Sequence, residues 1–195
     1  MPVAANKIHR FSYADYLTWN DGKRWEIIDG IPYAMSPAPS RKHQYISGNL
    51  FNHFKNYLKG KKCKVYSAPF DIRLAHNAKI TDDELVQHVL QPDVLVYCNN
   101  DQLDQKGGFG APDLVIEIIS EYTFRKDAVI KKSLYEEYGV REYWLIDPIY
   151  ETVTIYIYSK RKGKFGNAKK YERDKTIGVH IFPDLRIDLN EVFEE

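Results

Sequence analysis

The chain of 195 residues contains no stretch approaching the roughly 20 consecutive apolar residues that a helix needs to cross a bilayer. Its first segment, MPVAANKIHRFSYADY, does not pass from basic to apolar residues as a secretory leader does. The expectation is therefore a cytoplasmic protein without a membrane partner. Charge of one sign is also missing. Lysine and arginine number 28 against 27 acids, a net of +1, so no global field draws the chain to nucleic acid. Any such contact has to rest on local patches. Cysteine is scarce, with Cys63 and Cys98 alone in separate apolar segments. Two cysteines at that spacing make neither a zinc site nor a disulfide framework. They read as two buried free thiols in a reducing compartment. There is no internal repeat and no linker-like tract.

What is present suits a single domain over residues 1–195. Hydrophobic residues make up 44% and charged residues 28%, enough for one core beneath a solvated surface. Aromatics reach 14%, with 15 tyrosines supplying large apolar bodies with polar tips. Ser12 to Trp19 reads as a short helix capped by Ser12. Asp29-Gly30 between RWEII and IPYAM signals a hairpin, and SPAPS at 36–40 a loop. Ile46, Leu50, Phe54 and Leu58 recur every fourth residue, with Phe51 and Tyr57 beside them. That period predicts a helix over 41–59, ended by Gly60.

CKVYS and FDIRL read as strands, and 76–91 as a polar loop with a helical turn near Asp83. DVLVYC (93–98) and DLVIEII (113–119) are strands joined by the polar connection NNDQLDQKGGFGAP. A helix is predicted over 123–138, with Gly139 as its stop. REYWLID and TVTIYIYS follow as strands around an Asp147-Pro148 turn, with Tyr143 and Trp144 as core. A last helical turn falls at LNEVFEE. The sum is α/β, or mixed α+β, with a central mixed β-sheet and a helix on each side.

The strand LVIEIIS is apolar on both faces, as a covered central strand is. Glu117 therefore lies among core residues, and a buried lone carboxylate has to be protonated, paired or metal-bound. Asp93, just after Pro92, opens the neighbouring apolar strand. Pro-Asp alone is a common turn into a strand. With Glu117 it becomes a pair of hard oxygen donors suited to Mg²⁺ or Mn²⁺, a cation that can polarise a phosphodiester and activate water. Lys131 on the following helix could place a positive charge beside that site, with Asp127 one turn before it and Tyr135 one turn after. At about 100° per residue, Lys131 falls on the flank facing the sheet and Lys132 on the solvent side. The competing reading of Asp127 and Lys131 is an exposed i,i+4 pair.

These words together resemble the PD-(D/E)XK nuclease superfamily. They are most similar to a restriction-endonuclease-like branch long filed as a domain of unknown function. The matching words are WEIIDGIPYAMSPAPSRKHQYIS, QPDVLVY, APDLVIEIIS and KDAVIKKSLYEEYGVREYWLIDP, from about Tyr13 to Pro148. The resemblance implies a restriction-endonuclease-like core and divalent-metal hydrolysis of phosphodiester bonds in nucleic acid. Asp93 and Glu117 match the motif acids, the metal ligands. The plain pattern would place a lysine where Ile119 stands, and in this branch the lysine moves to the following helix, at Lys131.

Glu26 matches an acidic position of the first strand. It is either a further metal or water ligand or a half-exposed strand residue. His43 matches a recurrent position in the second helix, as a catalyst or as a helix-end hydrogen-bonder. Two basic stretches, Lys59–Lys64 and Lys160–Lys170, could meet phosphate, although solvated turns have the same composition. The leading expectation is a Mg²⁺- or Mn²⁺-dependent endonuclease acting on DNA, with a homodimer as one way to cut both strands. RNA is an open alternative substrate. The other class is a non-catalytic nucleic-acid-binding or assembly protein that kept the fold.

Overall fold

Two β-branched runs build the centre of the molecule. In the computed structural model, which describes residues 9–35, 38–75, 82–120 and 124–195, the chain opens on helix α1 (Tyr13–Tyr16). Ser12 caps it in a capping box with Asp15. Strands β1 (Trp25–Ile28) and β2 (Ile31–Ala34) form the expected hairpin. Its turn has positive φ at both Asp29 (52°) and Gly30 (70°), the geometry for which Asp-Gly is suited. Residues 36–37 of the expected loop lie outside the described residues.

Helix α2 (Arg41–Tyr57) buries Ile46, Leu50 and Phe54, as their four-residue recurrence requires. Strands β3 (Lys64–Ser67), β4 (Ile72–Arg73), β5 (Val89–Leu90) and β6 (Val94–Tyr97) follow. Then come β7 (Leu103–Asp104), β8 (Gly107–Phe109) and β9 (Leu114–Ile118). A π-helical stretch, Lys126–Lys131, runs into α3 (Lys132–Glu137). The chain then forms β10 (Glu142–Asp147), β11 (Thr152–Ser159), β12 (Lys164–Phe165) and β13 (Lys169–Glu172). It closes with β14 (Thr176–Val179), β15 (Phe182–Asp188) and α4 (Leu189–Phe193).

The central sheet has the order β12-β11-β10-β9-β6-β3, with β13 also on β11. It is mixed, because β9 and β10 run parallel while β6 pairs antiparallel with β9. A parallel pair needs a crossover, and the Lys126–Glu137 helical segment supplies it. That segment covers one face with Leu134 and Tyr135, against Leu95, Tyr97, Val115 and Tyr143. Helix α2 covers the other, where Val94, Val96, Leu114, Ile116 and Trp144 are buried. The antiparallel hairpin β14–β15 and α4 complete that second layer through Ile177, Ile187 and Val192. A central mixed sheet with a helix on each side is thus what the chain forms.

A second sheet and the state of the cysteines depart from what the sequence predicts. A second sheet, β2-β1-β5-β4-β8-β7, lies beside the first. Its β5 falls in the segment read as a polar loop, of which 76–81 are outside the described residues. Its β7 and β8 fall in the polar connection before β9. Strands of two or three residues are too short to carry a period. The cysteines differ as well. Cys63 and Cys98 form a disulfide, so the expectation of two free thiols is corrected. The register that sets Lys64 opposite Tyr97 brings the next pair, Cys63 and Cys98, across from each other. No pairing of the two strands is visible in their separate sequences. No described helix is long and apolar enough to cross a membrane.

Candidate active site

The register of β6 on β9 sets Val94 opposite Ile116, so one step further Asp93 faces Glu117. Two acids from separate sequence words therefore meet at one edge of the central sheet. Glu117 is 3% exposed and Asp93 is partly exposed at the mouth. Asp93 Oδ2 accepts a hydrogen bond from the Ile118 amide at 2.8 Å, which fixes its carboxylate beside the end of β9. His43, in the first turn of α2, places Nε2 3.4 Å from the same oxygen. Burial lowers the basicity of that ring, but the hydrogen bond and charge of Asp93 outweigh it, and the pKa is raised. The structure thus places His43 as the partner of Asp93.

Lys131 lies at the centre of the buried cluster. Its Nζ is 2.7 Å from Glu26 Oε1, 3.0 Å from Glu117 Oε1 and 3.3 Å from Asp127 Oδ1. Both Lys131 and Asp127 are 3% exposed, so the reading of a solvated surface pair is corrected. Glu26 is wholly buried, which also overturns its reading as a half-exposed strand residue. The geometry has a local cause. Residues 126–131 are π-helical, and the Lys132 amide donates to the Asp127 carbonyl five residues back. Tyr143 donates to that same carbonyl at 3.0 Å. This wider turn brings Asp127, Lys131, Leu134 and Tyr135 to the middle of the buried face. An ideal 100° spacing had left Lys131 on its flank.

Two site residues escaped the sequence reading as partners. Lys126 Nζ bonds Glu26 Oε2 at 2.7 Å, and the Tyr135 hydroxyl donates to Glu117 Oε1 at 2.7 Å. Lys126 and Lys131 stand five apart, a spacing that shares a face only in π geometry. Tyr135, at i+4 from Lys131, did carry a readable signal.

The electrostatics follow from the crowding. Burial pushes the Glu117 carboxyl well above the usual range; Lys131 opposes this, while Asp127, Asp93 and Glu26 add to it. Glu26 is buried too, but Lys131 and then Lys126 hold its pKa below the ordinary value. Burial disfavours the Lys131 ammonium, yet Glu117, Glu26 and Asp127 raise its pKa and keep it charged. Burial, then Glu117, pushes the Tyr135 phenol up, so it acts as a donor.

With Glu117 ionised and His43 neutral, the four acids Asp93, Glu117, Glu26 and Asp127 face two ammonium groups, Lys126 and Lys131, leaving two negative charges over, and the raised pKa of Glu117 reflects the cost of that state without a cation. One divalent cation would balance them. Among the described residues, both hydrogen bonds to Glu117 arrive at Oε1, and both contacts to Asp93 at Oδ2. One oxygen on each facing acid is thereby left for a cation, and hard oxygens suit Mg²⁺ or Mn²⁺. Among the described residues no group of three or more His, Cys, Asp or Glu side chains is placed to hold a metal ion. Magnesium commonly keeps several waters and takes only one or two carboxylates, so the residues present fit the group.

The chain is similar to known proteins in sequence and in fold. Residues 13–190 match the model of a family described as "Uma2: Putative restriction endonuclease". A solved structure of "a putative nuclease belonging to DUF820 from Anabaena variabilis" superposes with a TM-score of 0.72. It is 19% identical, with 94% of this chain and 97% of that one covered. No curated protein matches.

Proposed function

The chain belongs to the Uma2 family of restriction-endonuclease-like proteins, and from that membership we propose that it is a Mg²⁺- or Mn²⁺-dependent endonuclease hydrolysing phosphodiester bonds in DNA. The observation that carries this reading is the facing of Asp93 and Glu117 across β6 and β9, each with one carboxylate oxygen that takes no hydrogen bond among the described residues.

In this proposal Asp93 and Glu117 hold the cation. When bound, the metal supplies a Lewis acid for the phosphoryl oxygen and lowers the pKa of a bound water. The chain's own groups do the rest. Lys131 holds a fixed positive charge 3.0 Å from Glu117, where its field can offset charge that builds on the phosphate. Asp127 and Glu26 keep that ammonium in place and charged. Tyr135 fixes the Glu117 carboxylate through Oε1. His43 orients Asp93 from the side of α2. Cutting both strands of a duplex would take a twofold dimer or two successive visits.

The test is incubation of supercoiled plasmid with the protein and Mg²⁺ or Mn²⁺, with and without chelator. Nicking that requires the metal and is lost in Glu117→Gln is expected. A folded parent that binds DNA but leaves it intact under every metal condition would favour the non-catalytic reading instead.

A further inference from the structure

We infer that Arg24, two residues before Glu26, is a phosphate-gripping residue held in a set pose by the buried amide of Gln91. This rests on the proposed action on nucleic acid and names a contact by which the substrate backbone would be seated. Arg24 stands just before β1, and its carbonyl accepts from the Met35 amide at 2.9 Å. The ladder therefore continues through it, and two residues before Glu26 its side chain shares that residue's face. Arg24 is an exposed residue, whereas Glu26 is wholly buried on the same strand.

The way Arg24 is held is unusual for a surface arginine. Its Nε and Nη2 both donate to Gln91 Oε1, at 2.9 and 2.6 Å. Gln91 is 5% exposed and cannot swing away, because its Nε2 donates to Asp71 Oδ1 at 2.7 Å and to the Tyr16 hydroxyl at 3.1 Å. Its backbone amide donates to Glu26 Oε1 at 3.2 Å, which ties this pose to the cluster around Lys131. Among the described residues Arg24 makes no ion pair. The clamp is thus a neutral amide oxygen, which fixes the fork without cancelling its charge.

A surface arginine held only for stability would find a carboxylate more favourable, since charge-assisted pairs are stronger than neutral ones. Here the side-chain entropy is lost in advance and the full positive charge stays available, with no partner for Nη1 among the described residues. A planar fork with that charge suits a phosphate oxygen. Its position beside Glu26 suits a phosphate next to the one being cut. Gln91 is then a positioning residue for both Arg24 and Glu26.

The experiment measures binding of a short fluorescein-labelled DNA duplex, with Ca²⁺ in place of Mg²⁺, by anisotropy across a salt series. Arg24→Met is expected to weaken binding about tenfold, the order of one charge-assisted hydrogen bond. It should also flatten the slope of log K against log salt by about 0.9, the signature of one lost phosphate contact. Arg24→Lys keeps the charge but not the fork, so it should keep the parent's slope while losing part of the affinity. Lys23→Met removes the same charge one residue away and should change neither. Parent binding with unchanged affinity and slope in Arg24→Met overturns this inference and leaves the nuclease reading standing. A folded parent that fails to bind the duplex overturns both.

Discussion

Lys131 is the residue on which the cluster turns, because three carboxylates share its one ammonium. Lys131→Met should therefore lose both stability and activity. It leaves Glu26, Glu117 and Asp127 buried around a vacated charge, a loss of about 3–5 kcal/mol by the measure of broken buried pairs. Rate should fall about 10²–10⁴-fold if the ammonium acts on the reacting groups. Lys132 instead lies over the Tyr156 ring at 5.1 Å, and Lys132→Met should stay within about 1 kcal/mol and keep its activity. Urea denaturation and plasmid nicking on both variants check this, and equal losses would show the assignment to be mistaken. Glu117→Gln behaves differently. Its Oε1 can still accept from Lys131 and Tyr135, and the repulsion from Asp93, Glu26 and Asp127 is removed. The metal-free variant is expected to unfold no earlier than the parent while its cleavage is lost.

Among the elements, β10 carries the join to the C-terminal hairpin. Glu142 is wholly buried on it and accepts from Trp144 Nε1 at 2.8 Å and from the amides of His180 and Ile181 at 3.1 and 3.0 Å. Burial raises its pKa, and those hydrogen bonds only partly offset the rise. Between the unfolded value and this raised one the native state binds the extra proton, so stability falls as pH rises through that window. Glu142→Gln removes the titration and turns an amide NH₂ toward the Ile181 N–H, at a cost of about 1–3 kcal/mol. The stability gap between parent and variant is expected to narrow as pH rises through the window. Unfolding free energies across a pH series read it directly, and a gap that stays constant would contradict the assignment. Elements also differed in how far the sequence revealed them. Helix α2 was plain from four apolar residues at a fixed spacing, all of them buried. The π-helix was not, since its extra residue per turn comes from tertiary bonds such as Tyr143 to the Asp127 carbonyl.

For the whole molecule, the negative charge that the cluster carries once Glu117 ionises predicts coupling between metal and stability. A ligand that binds only the folded state at a hundred times its Kd contributes about 2.7 kcal/mol. For a chain of this size that corresponds to a rise of about 5–10 °C in Tm. Mg²⁺ should produce such a shift in the parent, and Asp93→Asn and Glu117→Gln should each blunt it. A calorimetric scan with and without chelator measures this, and an equal shift in all three proteins would place the ion elsewhere.

The sequence by itself determined the alternation and apolar runs of β6, β9 and β10, the period of α2, the hairpin at Asp29-Gly30 and the burial of Glu117. These are local, because strand and helix periods are written along the chain. It also marked Asp93 and Lys131, through words that a family shares. Only the tertiary structure decided which strands pair, and hence that Asp93 faces Glu117 and that Cys63 meets Cys98. The same holds for Glu26, whose partners Lys126 and Lys131 lie about a hundred residues away in sequence. Burial, charge and pairing at that distance depend on which surfaces meet when the sheet closes against its helices, and no period along the chain records them.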